Sequence, residues 1–164
     1  MIEKILIVYY SLTGNTQFIA EIIQDITKAD ILELKPIKEL NPSSSMKYMW
    51  GGFQATMKKK PKLHEINKNP LDYDLLFLGT PVWAWTYSPP LRSFLSMYDL
   101  SDKKIAIWTC SAGVPGKGLE RFINALKDKE IIGKIGFREP LNNNPEEAKE
   151  KVISWVNEIM KQFN

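Results

Sequence analysis

The 164 residues contain one cysteine, Cys110, and one histidine, His64. A single thiol excludes an internal disulfide framework and fits a reducing compartment, so the expected location is the cytoplasm. One cysteine and one histidine are also too few for a transition-metal cluster. Cys110 closes an apolar run and reads as a buried, inert thiol, whereas His64 sits in a polar stretch and reads as a solvated loop residue. No apolar run approaches the roughly 20 residues of a membrane helix. The N-terminal run is too short and too β-branched for a signal peptide. Neither sign of charge dominates, with 22 Lys and Arg against 19 Asp and Glu. Such a balance lacks the broadly basic surface of a nucleic-acid-binding protein. Hydrophobic content of 44% with 25% charged residues describes a globular chain, expected as one domain over 1–164.

The first sixteen residues carry the strongest local signal. The apolar run Ile5-Leu6-Ile7-Val8-Tyr9-Tyr10 breaks into Ser11-Leu12-Thr13-Gly14-Asn15-Thr16, and apolar residues then recur at helical spacing from Phe18 to Ile26. This order predicts a buried strand, a hydroxyl-rich turn and a helix whose first turn faces back toward it. Unpaired N–H groups at a helix start, with the positive end of the helix dipole, suit an anion. Ser11, Thr13 and Thr16 add hydroxyl donors, and Gly14 allows close backbone approach. The turn has no lysine, which excludes the nucleoside-triphosphate loop, and too few glycines for the dinucleotide fingerprint. A single terminal phosphate held by amides and hydroxyls fits better. The same position lacks the acidic pair that a phospho-acceptor receiver domain needs, since Tyr9, Tyr10 and Ser11 stand there.

Two later segments follow apolar strands in the same way. Gly79-Thr80-Pro81-Val82-Trp83-Ala84-Trp85 follows Tyr73–Leu78, and Cys110-Ser111-Ala112-Gly113-Val114-Pro115-Gly116-Lys117-Gly118 follows Lys104–Trp108. With the first turn, these loops resemble the phosphate loop and the two ring-holding loops of flavodoxins and their flavin mononucleotide (FMN) relatives. They occur in that family's order, and the resemblance covers nearly the whole chain, least closely between about Pro36 and Pro70. It implies FMN bound by Ser11, Thr13, Gly14, Asn15 and Thr16 at the phosphate. At the ring it implies Pro81, Val82, Trp83, Ala84, Trp85, Ser111, Ala112, Gly113 and Gly116. Trp83 matches the family's aromatic position after Thr-Pro-Val. Trp85 and Tyr87 fit packing or a surface rim equally well.

Alternating apolar strands and amphipathic helices predict a parallel sheet with helices on both faces. Strands are expected near 3–10, 30–35, 73–80, 103–110 and 131–138, and helices near 15–28, 46–58, 89–98, 117–128 and 145–162. The resemblance implies a flavodoxin-like three-layer α/β sandwich with the five strands in order 2-1-3-4-5. Flavodoxin is itself the standard example of that order, with FMN at the switch point between the first and third strands. All three loops then leave the carboxyl ends of strands and meet at one edge.

One segment departs from the family pattern. Residues 41–70 form a basic aromatic insert, with six lysines against the single acid Glu65, and with Tyr48, Met49, Trp50 and Phe53 around Gly51-Gly52. It reads partly as a solvated lysine face. Its other reading has Tyr48 or Trp50 closing over the site while the lysines attract an anionic partner, an acidic protein face or a nicotinamide 2′-phosphate. The three loops hold almost no acids, so a fully reduced, anionic flavin is expected to be less disfavoured than in acidic flavodoxins. Two functions remain open. One is an FMN electron carrier docking on redox partner proteins, and the other an FMN-dependent NAD(P)H oxidoreductase acting on quinones or similar acceptors. No catalytic residue or metal site is expected in either.

Overall fold

The computed structural model describes residues 3–41, 43, 52, 53, 55 and 57–164. The helix expected near 46–58, with Tyr48, Met49, Trp50 and Gly51, lies largely outside the described residues.

Among the described residues five parallel strands form the sheet: β1 (Ile5–Tyr9), β2 (Asp30–Glu33), β3 (Leu75–Trp83), β5 (Lys104–Ser111) and β6 (Glu130–Arg138). A two-residue strand, β4 (Thr86–Tyr87), pairs antiparallel with the end of β3. The spatial order is β2-β1-β3-β5-β6, which is the expected 2-1-3-4-5 once the short β4 is set aside. The fold is therefore the flavodoxin-like three-layer α/β sandwich.

In the central strands both faces are covered, which is why they read as continuous apolar runs rather than alternating ones. Odd positions of β1, such as Ile7, share a core with Phe77, Trp108, Ile19, Ile23, Val152 and Val156. That face is covered by α1 (Asn15–Thr27) and α5 (Pro145–Phe163). Even positions, Leu6 and Val8, join Leu76, Leu78, Leu91, Phe94 and Phe122 on the other face. There the cover comes from α2 (Pro89–Met97) and α3 (Lys117–Ala125). Each of these side chains contributes about 1.5–3 kcal/mol when fully buried. The Asn144 side chain caps α5 by accepting from the Glu147 N–H at 3.1 Å, and Pro145 opens the helix.

The core also explains why Gly79 precedes the second loop. It pairs across the sheet with Trp108, and a Cβ on Gly79 would lie 2.0 Å from the Trp108 indole. Only glycine leaves room for that ring in the sheet centre. No helix among the described residues is long and apolar enough to cross a membrane.

Candidate functional site

β1, β3 and β5 all end at the same edge of the sheet, so their following loops converge. Between them lies a hollow of about 210 Å³ lined by Leu12, Thr13, Asn15, Thr16, Pro81, Val82, Trp83, Ala84, Cys110, Ser111, Ala112 and Glu139. A contiguous hollow of about 330 Å³ shares Val82, Ala84, Ser111 and Ala112 with it and continues past Trp85, Gly113, Gly116 and Lys117. The two together are of the size of a cofactor pocket.

The first loop is shaped by its own hydrogen bonds. The Ser11 hydroxyl accepts from the N–H groups of Gly14 and Gln17, each at 3.2 Å. Ser11 thus fixes the loop from behind and does not line the hollow. Gly14 sits at φ 99°, a left-handed conformation costly for any residue with a Cβ. The first bond of the helical ladder runs from the Phe18 N–H to the Gly14 carbonyl at 2.9 Å. The N–H groups of Asn15 and Thr16 precede that ladder and belong to the anion-favouring end of α1. Thr16 is buried with its hydroxyl beside the Cys110 thiol, and both residues line the hollow. Burial pushes the Cys110 thiol up to about 12, which makes it the inert thiol expected.

The second loop is a tight hairpin. Val82 pairs with Tyr87 and Trp83 with Thr86, leaving Ala84 and Trp85 as the two turn residues at φ 49° and 58°. Two consecutive positive φ values define a primed turn, whose twist matches the flanking strands. Neither residue is the Asn or Gly that such turns favour, so the backbone is strained here. Arg121 steadies the turn by donating to the Ala84 carbonyl at 3.4 Å. Below it, Thr80 and Ser88 close the base: the Ser88 N–H donates to Thr80 Oγ1 at 2.9 Å and the two hydroxyls meet at 2.8 Å. Both side chains are fully buried.

Trp83 is half-buried and meets Tyr10 edge-on, ring centroids 5.5 Å apart. Trp85 is 66% exposed, with the Lys117 ammonium 5.5 Å from its ring centroid. Tyr87 belongs to the core: it stacks on Phe122 at 5.4 Å, with the Arg92 guanidinium over its ring. In the third loop the Ser111 hydroxyl donates to the Gly113 carbonyl at 2.7 Å, and Arg138 Nε donates to the Ala112 carbonyl at 3.2 Å.

Sequence reasoning missed three contributors. The first is Glu139, which begins the one-turn helix α4 (Pro140–Asn143) after β6 and places an acid in the lining. Its own N–H donates to the Ser111 carbonyl at 3.0 Å, and the Leu141 N–H donates to Asn15 Oδ1 at 3.0 Å, so a fourth loop is tied to the first and third. The second is Tyr10, whose hydroxyl donates to Glu39 at 2.7 Å. Burial, and then that carboxylate, push the Tyr10 phenol well above its ordinary range. The third is a larger cavity of about 610 Å³ beside the three-loop hollow, with Trp83 common to both linings. Among the described residues no group of three or more His, Cys, Asp or Glu side chains is gathered to hold a metal ion.

Residues 4–159 match the family model described as Flavodoxin. The chain is similar to a candidate flavoprotein from Bacteroides eggerthii, at 22% identity and a TM-score of 0.77, covering 97% of this chain and 99% of that one. A flavoprotein from Lactobacillus acidophilus in complex with FMN is 23% identical, with a TM-score of 0.71 over 94% of this chain and 99% of the other. The apo form of the flavoprotein from the same organism is 26% identical, with a TM-score of 0.65 over 87% and 97%. No curated protein matches the chain.

Proposed function

We propose, because the chain belongs to the flavodoxin family, that it binds FMN in the three-loop hollow and transfers electrons through it. The observation that carries this reading is the convergence of a left-handed Gly14 turn, a half-buried Trp83 and the Ser111–Gly113 loop on one cavity. The residues present fit the cofactor. A dianionic phosphate suits the turn of Thr13, Gly14, Asn15 and Thr16, where the N–H groups of Asn15 and Thr16 precede the helical ladder and the turn carries no lysine or arginine. Ser11 keeps that turn in shape and retains its own proton as a donor. Trp83 offers a flat apolar face, and the strained 84–85 turn presents backbone groups at the rim. Ser111, Ala112, Gly113 and Gly116 would lie at the polar edge of the ring. FMN, when bound, supplies one- and two-electron chemistry that no side chain here provides. The protein's share is to bind, orient and set the local charge.

The favoured role is an electron carrier that docks on redox partner proteins. The second reading, an NAD(P)H oxidoreductase acting on quinones or similar acceptors, is favoured by the 610 Å³ cavity that shares Trp83. One experiment separates them. The protein is loaded with FMN under anaerobic conditions, NADPH or NADH is added, and the visible flavin absorbance is followed. A carrier keeps its colour until a separate reductase is supplied. Rapid bleaching by the nicotinamide alone supports the oxidoreductase. Failure to retain FMN would overturn the central reading.

A further inference from the structure

The 610 Å³ cavity has a built frame. The stretch after β2 and the stretch returning toward β3 pair antiparallel: the Ile37 N–H donates to the Lys62 carbonyl at 2.9 Å, and the His64 N–H donates to the Lys35 carbonyl at 2.7 Å. Ser93 of α2 donates to the Pro61 carbonyl at 2.6 Å, fixing the frame against the fold. Pro36, Ile37, Pro61 and Pro90 give the lining an apolar wall, and Trp83 joins it to the three-loop hollow.

Its charge is one-sided. Lys38, Lys59 and Lys62 line the cavity, and none of the three forms an ion pair among the described residues. Glu39, the one acid in the lining among the described residues, is already engaged, accepting from the Tyr10 hydroxyl and from the Leu40 N–H, both at 2.7 Å. An apolar concavity with surplus positive charge calls for a flat apolar body bearing an anion. A broad acidic protein face would leave the concavity unfilled, and a phosphate-rich chain would leave the apolar wall uncovered.

We propose that this cavity binds an aromatic carboxylate, its ring against the apolar wall and Trp83 and its carboxylate among Lys38, Lys59 and Lys62. Any redox role for this ligand rests on the FMN reading above; the binding site itself does not.

The test uses two probes of nearly equal shape, 2-naphthoate and the neutral 2-naphthamide, titrated calorimetrically into FMN-loaded and FMN-free protein. Naphthoate is expected to bind about tenfold more tightly at low salt, the preference shrinking as salt rises. The triple variant K38Q/K59Q/K62Q should bind both probes equally, with naphthamide and FMN affinities unchanged, and the corresponding triple arginine variant should restore the preference. Equal binding of the two probes by the native chain, or a preference that survives in the glutamine variant, overturns the proposal. So does naphthoate binding that vanishes once FMN is bound, since that places the probe in the three-loop hollow. A chain that fails to hold FMN yet keeps the lysine-dependent preference supports this site while removing the FMN reading.

Discussion

The base of the second loop gives the sharpest prediction. Thr80 Oγ1 accepts from the Ser88 N–H, meets the Ser88 hydroxyl at 2.8 Å and lies 2.8 Å from the Pro81 carbonyl, and the Thr80 and Ser88 side chains are both fully buried. Thr80→Val keeps the shape but removes every one of these contacts. It leaves the Ser88 N–H and hydroxyl buried without partners, at roughly 1–3 kcal/mol for each orphaned group, so a loss of about 2–6 kcal/mol is expected. Ser88→Ala is different. Thr80 then still accepts from the Ser88 N–H and can still donate to Pro81, so only about 0.5–1.5 kcal/mol is lost. The double variant orphans the N–H alone and should cost no more than Thr80→Val by itself, a non-additivity expected of groups in one network. Urea unfolding followed by tryptophan fluorescence measures all three, with an unchanged m-value as the check on two-state behaviour. If Ser88→Ala costs as much as Thr80→Val, the directional accounting of this cluster is wrong.

Other perturbations act closer to the hollow. Gly14→Ala forces a Cβ into the left-handed conformation at φ 99° and should cost about 1–2 kcal/mol; FMN affinity should fall with it, read as a smaller shift in unfolding midpoint on adding FMN. Glu139→Gln removes an acid from the lining and should raise the potential of the second electron by roughly 20–45 mV, the equivalent of about 0.5–1 kcal/mol, in a spectroelectrochemical titration. An unchanged potential would show that solvent screens this half-exposed carboxylate. The Cys110 thiol is raised to about 12 in the folded chain from an ordinary value of 9.0. Its contribution to stability is therefore complete below pH 9 and lost as pH rises from there toward about 12, by about 1.4 kcal/mol between pH 8 and 10. Cys110→Ala should flatten the native curve by that difference when the two are compared under reducing conditions, and parallel curves would contradict the burial of the thiol.

The fold was legible because its signals were redundant. Ile5–Tyr9, Leu75–Leu78 and Ile105–Trp108 are apolar on both alternating faces, as a doubly covered parallel strand requires. The last helix announced itself through Asn144, Pro145 and the spacing from Ala148 to Phe163. What stayed hidden was short. β4 spans only Thr86–Tyr87, and it follows a primed turn made by Ala84 and Trp85, where turn chemistry would expect Asn or Gly. Tertiary contacts hold that turn: Arg121 on the Ala84 carbonyl, the Thr80–Ser88 pair beneath, and Lys117 near the Trp85 ring. Arg121 and Lys117 are distant in the chain, and no local pattern encodes their support.

The site shows the same division between what recurs and what is particular to this chain. Ser11, Gly14 and Trp83 sit in motifs whose spacing can be read because backbone geometry requires it. Glu139 and Glu39 sit in no motif. Each is an isolated acid that becomes relevant only because the fold returns it to the end of β1, Glu139 through the fourth loop and Glu39 through the Tyr10 hydroxyl. A count of acids in the three loops therefore describes the wrong set of charges. The charge that bears on the hollow includes Glu139 on one side, and beyond Trp83 it includes Lys38, Lys59 and Lys62 of the neighbouring cavity, none of them ion-paired among the described residues. An electron carrier needs that second set only as a docking field, which salt screens smoothly. A small anionic ligand needs it at a defined position, so single lysine replacements would have unequal effects. Unequal effects of Lys38, Lys59 and Lys62 on reaction with an acceptor would thus argue for a bound molecule, and equal, additive ones for long-range steering of a protein partner.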